Sequence, residues 1–322
     1  MSARKNQRGA ALLIVLLLAA TLAFIALATM ELTTRAAARS LNVHARGEAI
    51  WGALGVETLS LAAVEEFAAT NNGKMSLDDE WASQAIELPL DNGFARVMFA
   101  DATTCFNVNS LGNADGDESG ATSAAEFVRL AVHLGLGEYD AVALVESISD
   151  WVDQDNNRRG QGAEDEYYTT LASPYRTGNQ PMASISEMRA VKGVSREIYA
   201  TLKPYLCALA DTAPTPINVN MLAERHAPAL AAALGEKATL QTARDIIAAR
   251  RPGGYDAVTA FLAEPLVEAL EPAETARFQV TSRYIQARAE IVYDSAVVEM
   301  TSDIVIEGER ARLAGRRIGA EE

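Results

Sequence analysis

Six carboxylates crowd residues 150–166: Asp150, Asp153, Asp155, Glu164, Asp165 and Glu166. Oxygen-rich side chains at this density suit a hard cation, and calcium takes six to eight oxygens at about 2.3–2.6 Å. Asp153, Asp155 and Asn157 stand at the first, third and fifth places of a loop. Glu164 stands at the twelfth, where a bidentate carboxylate closes a calcium loop. Arg158 occupies the sixth place, where such loops need glycine for a sharp turn, so this is not an ordinary EF-hand. Asp150, one helical turn before Asp153, and Asp165 complete the candidate ligand set. Without a cation the carboxylates repel one another, although Arg158 and Arg159 offset part of that. The plain alternative is a solvated acidic loop that caps the next helix.

A second oxygen-bearing stretch spans residues 112–120, with Asn113, Asp115, Asp117 and Ser119 in alternation. No bidentate Glu follows at the required distance, and a solvated loop competes with a cation site there. The two cysteines, Cys105 and Cys207, lie far apart, and the three histidines are scattered, so no zinc spacing exists. An even pair in an oxidising compartment favours a disulfide, and two buried thiols are the alternative. The chain carries no G-x-S-x-G, P-loop or dinucleotide fingerprint, so no enzyme is expected. A net charge of −15 argues against a nucleic-acid partner, because phosphate binding needs a basic surface.

The elements that must carry these residues begin with an uncharged run from Ala10 to Met30, preceded by Arg4, Lys5 and Arg8. As a helix rising about 1.5 Å per residue, it crosses roughly 30 Å of hydrocarbon. The basic flank places the N-terminus in the cytoplasm and everything after Glu31 outside it. An ordinary secretory signal cut near Ala28 is the rival reading. No proline interrupts residues 31–69, which continue as a helical stem unless Gly47, Gly52 or Gly55 breaks it. Residues 86–109 read as strand with a turn at Asp91, Asn92 and Gly93. Residues 121–270 are mostly helical, in two related hairpin-like units, and Ser186 is placed to cap one helix. Residues 276–307 return to strand, with Ile285, Ala287, Ala289 and Ile291 facing a core. The arginines of the tail belong to solvent or to a last edge strand. Strands on both sides of a helical block imply an insertion into one sheet.

Gln7, Arg8 and Gly9, followed by Ala10, Ala11, Leu12, Leu13, Ile14 and Val15, resemble a type IV prepilin leader. More narrowly, the chain resembles the K-type minor pseudopilins of bacterial type II secretion systems. Asn107, Val108 and Asn109, with Ser110 and Leu111, are similar to one signature of that family, and residues 150–168 to another. The resemblance implies an α+β fold: a long pilin-like N-terminal helix packed on a small antiparallel sheet, with a large helical insertion. It implies a leader over 1–9, a membrane helix over 10–30, and a stem with first strands over 31–111. The inserted domain would span 112–272, and closing strands 273–322. Prepilin peptidase would cut between Gly9 and Ala10, with N-methylation of Ala10. The fifth mature position is Ile14, where most pilins carry Glu. The resemblance further implies calcium binding by the helical domain, anchorage in the inner membrane, and a periplasmic globular part. It implies a place at the pseudopilus tip beside the I- and J-type minor pseudopilins, within the secretion machinery. A minor pilin of a type IV pilus is an alternative. A DNA-uptake module is another, but each hairpin keeps only one glycine, at Gly193 and Gly235.

Overall fold

The computed structural model describes residues 7–71, 73–113, 118–272 and 275–319. A single helix, α1 (Gln7–Asn71), spans 65 residues, about 100 Å at 1.5 Å per residue. It is long and apolar enough to cross a membrane by length and composition, and it is the one such helix among the described residues. None of the three stem glycines breaks it. Gly47 and Gly55 face open space, while Gly52 turns toward Ile291 and Leu90.

A short helix, α2 (Glu80–Ser83), leads into β1 (Ile86–Leu90) and β2 (Gly93–Asp101). The chain returns to the same sheet only in β7 (Tyr284–Tyr293), β8 (Ala296–Glu307) and β9 (Arg310–Ile318). The sheet runs β1-β2-β7-β8-β9, and every neighbouring pair is antiparallel. One face packs on the stem, where Ala49, Ala53, Val56, Val64 and Ala68 meet Val97, Ile285, Ile291, Met300 and Ile304. Small residues at spacings of three and four let the helix lie close to the pleat. Glu57 sits on the same buried face. It accepts hydrogen bonds at 2.8 Å from Ser302 Oγ and Arg316 Nε. The Arg316 guanidinium holds its carboxyl below the usual range. The arginine-rich tail is therefore the edge strand β9: Arg312 pairs with Glu307, Arg316 with Glu57 and Arg317 with Asp303.

Between β2 and β7 lies the helical block, built in two halves. The first opens with β3 (Phe106–Asn107), continues through α3 (Glu118–His133), α4 (Glu138–Val152), α5 (Asp165–Tyr168) and α6 (Arg196–Leu202), and closes with β4 (Leu206–Cys207). Its core gathers Phe127, Leu130, Leu144, Ile148, Trp151, Tyr168 and Leu202. The second opens with β5 (Ile217–Asn218), holds α7 (Ala227–Leu234), α8 (Leu240–Ala249), α9 (Val258–Leu262) and α10 (Pro265–Glu268), and closes with β6 (Phe278–Gln279). Its core gathers Val219, Leu230, Leu234, Ile246, Phe261 and Val267.

The halves share one device. Phe106, Asn107, Val108, Asn109 and Leu111 correspond to Ile217, Asn218, Val219, Asn220 and Leu222. In each, the two-residue strand pairs in parallel with the closing strand. The backbone N–H of the second Asn donates to the side-chain oxygen of the first, at 3.2 Å for Asn109 and 3.0 Å for Asn220. The second Asn then clamps a distant backbone by both amide groups. Asn109 exchanges bonds with Met182, and Asn220 with Tyr255. Buried backbone groups need partners, and these side chains supply them where no ladder exists.

One cap differs from the reading above. Ser184, not Ser186, caps the short 3-10 helix Ile185–Ala190, and Glu187 reaches back to complete a capping box. The Ser-x-x-Glu spacing favours Ser184, since Ser186 lies too close to Glu187 to form the box.

His226, buried at the start of α7, accepts a hydrogen bond on Nδ1 from Ala223 N–H at 3.0 Å. Burial, aided by the charge of Arg225, pushes its pKa down to about 4. An unfolded chain takes up this proton near pH 6.5, and the folded chain refuses it until about pH 4. The contribution is therefore present above pH 6.5 and lost as pH falls, by roughly 2 kcal/mol at about pH 5. His226→Asn should shrink the drop in melting temperature between neutral and acid pH. An unchanged drop in the variant would contradict this.

Candidate cation site on the acidic loop

Helix α4 delivers Asp150 on its last turn, and the chain leaves the helix at Asp153, whose N–H still bonds Ser149 O at 3.0 Å. Eleven residues later Glu164 precedes α5. The loop folds back so that one ligand oxygen each from Asp150, Asp153 and Glu164 lies within 4.8 Å of the others. All three are buried; Asp150 is 0% exposed. This is the only such group of His, Cys, Asp or Glu among the described residues. The trio is not solvated, although Gln154 to Arg158 are exposed. Nor does Glu164 cap α5, because its side chain makes no capping bond.

Two oxygens in the cluster have no hydrogen-bond partner, Asp153 Oδ1 and Glu164 Oε1. A buried carboxylate oxygen without a donor costs free energy that a cation would recover. Burial pushes the Glu164 carboxyl up to about 7, with the charges of Asp150, Asp153, Asp155 and Asp165 adding to the rise. Burial also raises Asp153, against the pull of Arg159. Buried, mutually repelling carboxylates with unused lone pairs fit a hard divalent cation.

The loop is held from below. Gly162 lies so close to Asp150 that an added Cβ would stand 2.0 Å from Oδ2 and 2.9 Å from Glu146 O. Lys192 Nζ donates to the carbonyls of Gln161 and Gly162 at 2.8 and 3.0 Å, and Gln161 N–H donates to Glu146. Behind the loop, Trp151 packs edge-on against Tyr168 at 5.3 Å.

The other candidates sit apart from the trio. Asp155 and Asn157 are exposed, and Asp155 Oδ1 accepts from Asn157 N–H at 2.6 Å. Asp165 is occupied by Thr177, through both N–H and Oγ1 at 3.0 Å, and by Arg176. Arg159, read only as a diffuse offset to the acids, reaches into the cluster. Gly162, two places before the closing Glu, carries its own sequence signal, since such a glycine marks a close approach. The oxygens of the earlier loop, Asp115 and Asp117 among them, lie outside the described residues.

Cys105 and Cys207 form a disulfide with Cα atoms 5.7 Å apart, beside the β3–β4 pair. At the other end of the molecule, the bond between Gly9 and Ala10 lies in the first turn of α1.

Family profiles described as "Type II secretion system (T2SS), protein K" match residues 104–211 and 217–281. These spans coincide with the two halves of the block. Type II secretion system protein K of Klebsiella pneumoniae is 35% identical over 320 residues, covering 98% of this chain and 97% of its own. The protein K of Pectobacterium carotovorum is 37% identical, covering 78% of each chain. Among solved structures, a chain of the GspK-GspI-GspJ complex from enterotoxigenic Escherichia coli matches with a TM-score of 0.75 and 28% identity. It covers 88% of this chain and 100% of that one. Sequence, duplicated helical block and pilin-like frame agree: the chain belongs to the type II secretion system protein K family, the K-type minor pseudopilins.

Proposed function

We propose that this minor pseudopilin stands at the tip of the pseudopilus, where it starts assembly and supports export of folded proteins across the outer membrane. Its role is structural. The observation that carries the reading is where the helical block is joined. α1 runs from its apolar end toward Asn71, and the block attaches beyond that far end. There Asn218 donates to Met75 O at 3.1 Å and Ser282 Oγ at 2.8 Å, and Ser282 in turn donates to Asp101. A block of this size above the stem obstructs any subunit stacking from that side. Ile14 supports the same position. An isolated carboxylate in hydrocarbon costs several kcal/mol, so pilins keep one only where a neighbour's amine pairs with it. A subunit with Ile there has no such carboxylate to offer.

In this reading α1 anchors the chain in the inner membrane, with the N-terminus cytoplasmic and the block periplasmic. Prepilin peptidase removes the leader after Gly9 and methylates Ala10. One calcium ion is held by Asp150, Asp153 and Glu164, and secures the loop on which the first half closes. No nucleic acid is a partner.

The I- and J-type minor pseudopilins would pack along the stem. Trp51 is 72% exposed on α1, and Leu41 and Leu59 are also exposed. Ala49, Ala53 and Val56 face the sheet instead. Exposed tryptophan on a stem is costly in water and typical of an interface anchor. Trp51→Asp should reduce co-purification of both partners at least about tenfold, as expected for loss of an anchor residue. Membrane insertion should persist. Undiminished recovery of both partners would exclude the stem as their docking surface.

A further inference from the structure

Arg159 lies on the acidic loop itself, with its side chain only 16% exposed. Its Nη1 donates to Asp150 Oδ1 at 2.9 Å and to Asp153 Oδ2 at 2.5 Å. Its backbone N–H adds contacts of 3.2–3.3 Å to the same Asp150 carboxylate. The Asp153 contact is as short as the separation of about 2.3–2.6 Å that calcium keeps from its oxygens. The guanidinium nitrogen thus stands between two of the three carboxylates that would hold a cation. Glu164 Oε1 and Asp153 Oδ1, both on side chains more than nine-tenths buried, remain without partners while Arg159 bridges the site. One positive charge therefore faces three carboxylates, and two oxygens are left over.

We propose that Arg159 is the built-in counter-ion of this loop, bridging Asp150 and Asp153 in the cation-free protein and leaving the cluster when a divalent cation enters. This rests on the calcium reading of the site. The exchange replaces a single charge that reaches two carboxylates by a double charge that reaches all three. It has two consequences. The cation-free block keeps its fold, because the buried acids are never wholly uncompensated. Cation affinity is set by competition, because the binding-competent loop is the fraction from which Arg159 has withdrawn. Arg158, next in the chain but exposed, provides an internal control.

Calcium titration of the full chain in detergent, followed by calorimetry, tests this in wild type and Arg159→Gln. Removing the competitor should tighten calcium binding about tenfold, as expected when a competing closed state is lost. The melting temperature in chelator should fall. Wild type that binds calcium beside a variant that binds equally or more weakly would overturn the counter-ion role and leave the calcium reading standing. Failure of both to bind would overturn both. If Arg159→Gln does not fold, wild type alone decides through labelling with phenylglyoxal, read by mass spectrometry. Arg159 should react slowly in chelator and several-fold faster in calcium, while Arg158 reacts alike in both. Equal labelling of Arg159 in the two conditions would sink the proposal.

Discussion

Gly162→Ala should weaken the proposed calcium binding by about tenfold to a hundredfold, the usual effect of disturbing the shell behind metal ligands. It should also destabilise the block by about 1–3 kcal/mol through overpacking. The reason is space, not backbone conformation. The new Cβ would stand 2.0 Å from Asp150 Oδ2 and 2.7 Å from Cγ. Asp150 is fully buried on the last turn of α4 and cannot swing away, so the loop must lift and carry Glu164 with it. Gly160→Ala is the control. Its Cβ would meet Glu146 Oε2 at 3.5 Å, an ordinary contact, so binding and melting should hardly change. Calcium titration and thermal melting of the two variants check this. Equal behaviour would mean that the loop does not depend on this close approach.

Removing the disulfide has the second large effect. The bridge between Cys105 and Cys207 closes a separation of 102 residues around nearly the whole first half of the block. Loop-closure entropy for a ring of about 100 residues gives roughly 4.7 kcal/mol, and measured losses usually fall at about 2–5 kcal/mol. The double variant Cys105→Ala with Cys207→Ala should therefore melt about 10 °C lower or more. The bridge closes the same half as the β3–β4 pair and the Asn107 and Asn109 clamps. Those contacts should then open together with the acidic loop. Hydrogen exchange would show protection lost over residues 105–211 and retained at β7 and β8. Uniform loss over the whole chain would contradict the division into a stapled half and an independent sheet.

Much of this arrangement was legible in the sequence, and the parts that were not have physical reasons. The apolar run and the proline-free stem announce α1, because helix continuity depends on local propensity and on the absence of breakers. Alternation announces β7 and β8, and strands flanking a helical block imply the insertion. Spacing alone could not say which acids converge. Asp155 matches a calcium loop as well as Asp153 does, and Asp165 stands beside Glu164, but the fold turns Asp155 to solvent and gives Asp165 to Thr177. That choice depends on the long-range support from Glu146 and Lys192, which no local pattern encodes. The role of Arg159 was invisible for the same reason. Its neighbour Arg158 has identical chemistry, and only the path of the backbone decides which guanidinium points inward. The two asparagine pairs stand in similar strings, Phe106 to Asn109 and Ile217 to Asn220. Their function as clamps appears only once Met182 and Tyr255 arrive from far along the chain.

The proposed position at the tip depends on the join between the stem and the helical block, and it can be tested directly. Isolated pseudopili assembled with a full-length, epitope-tagged chain would be labelled with gold and viewed by electron microscopy. The account predicts label at one end of each filament and nowhere along its length. Label distributed along the filament would contradict it, because the block could then be accommodated between stacked subunits.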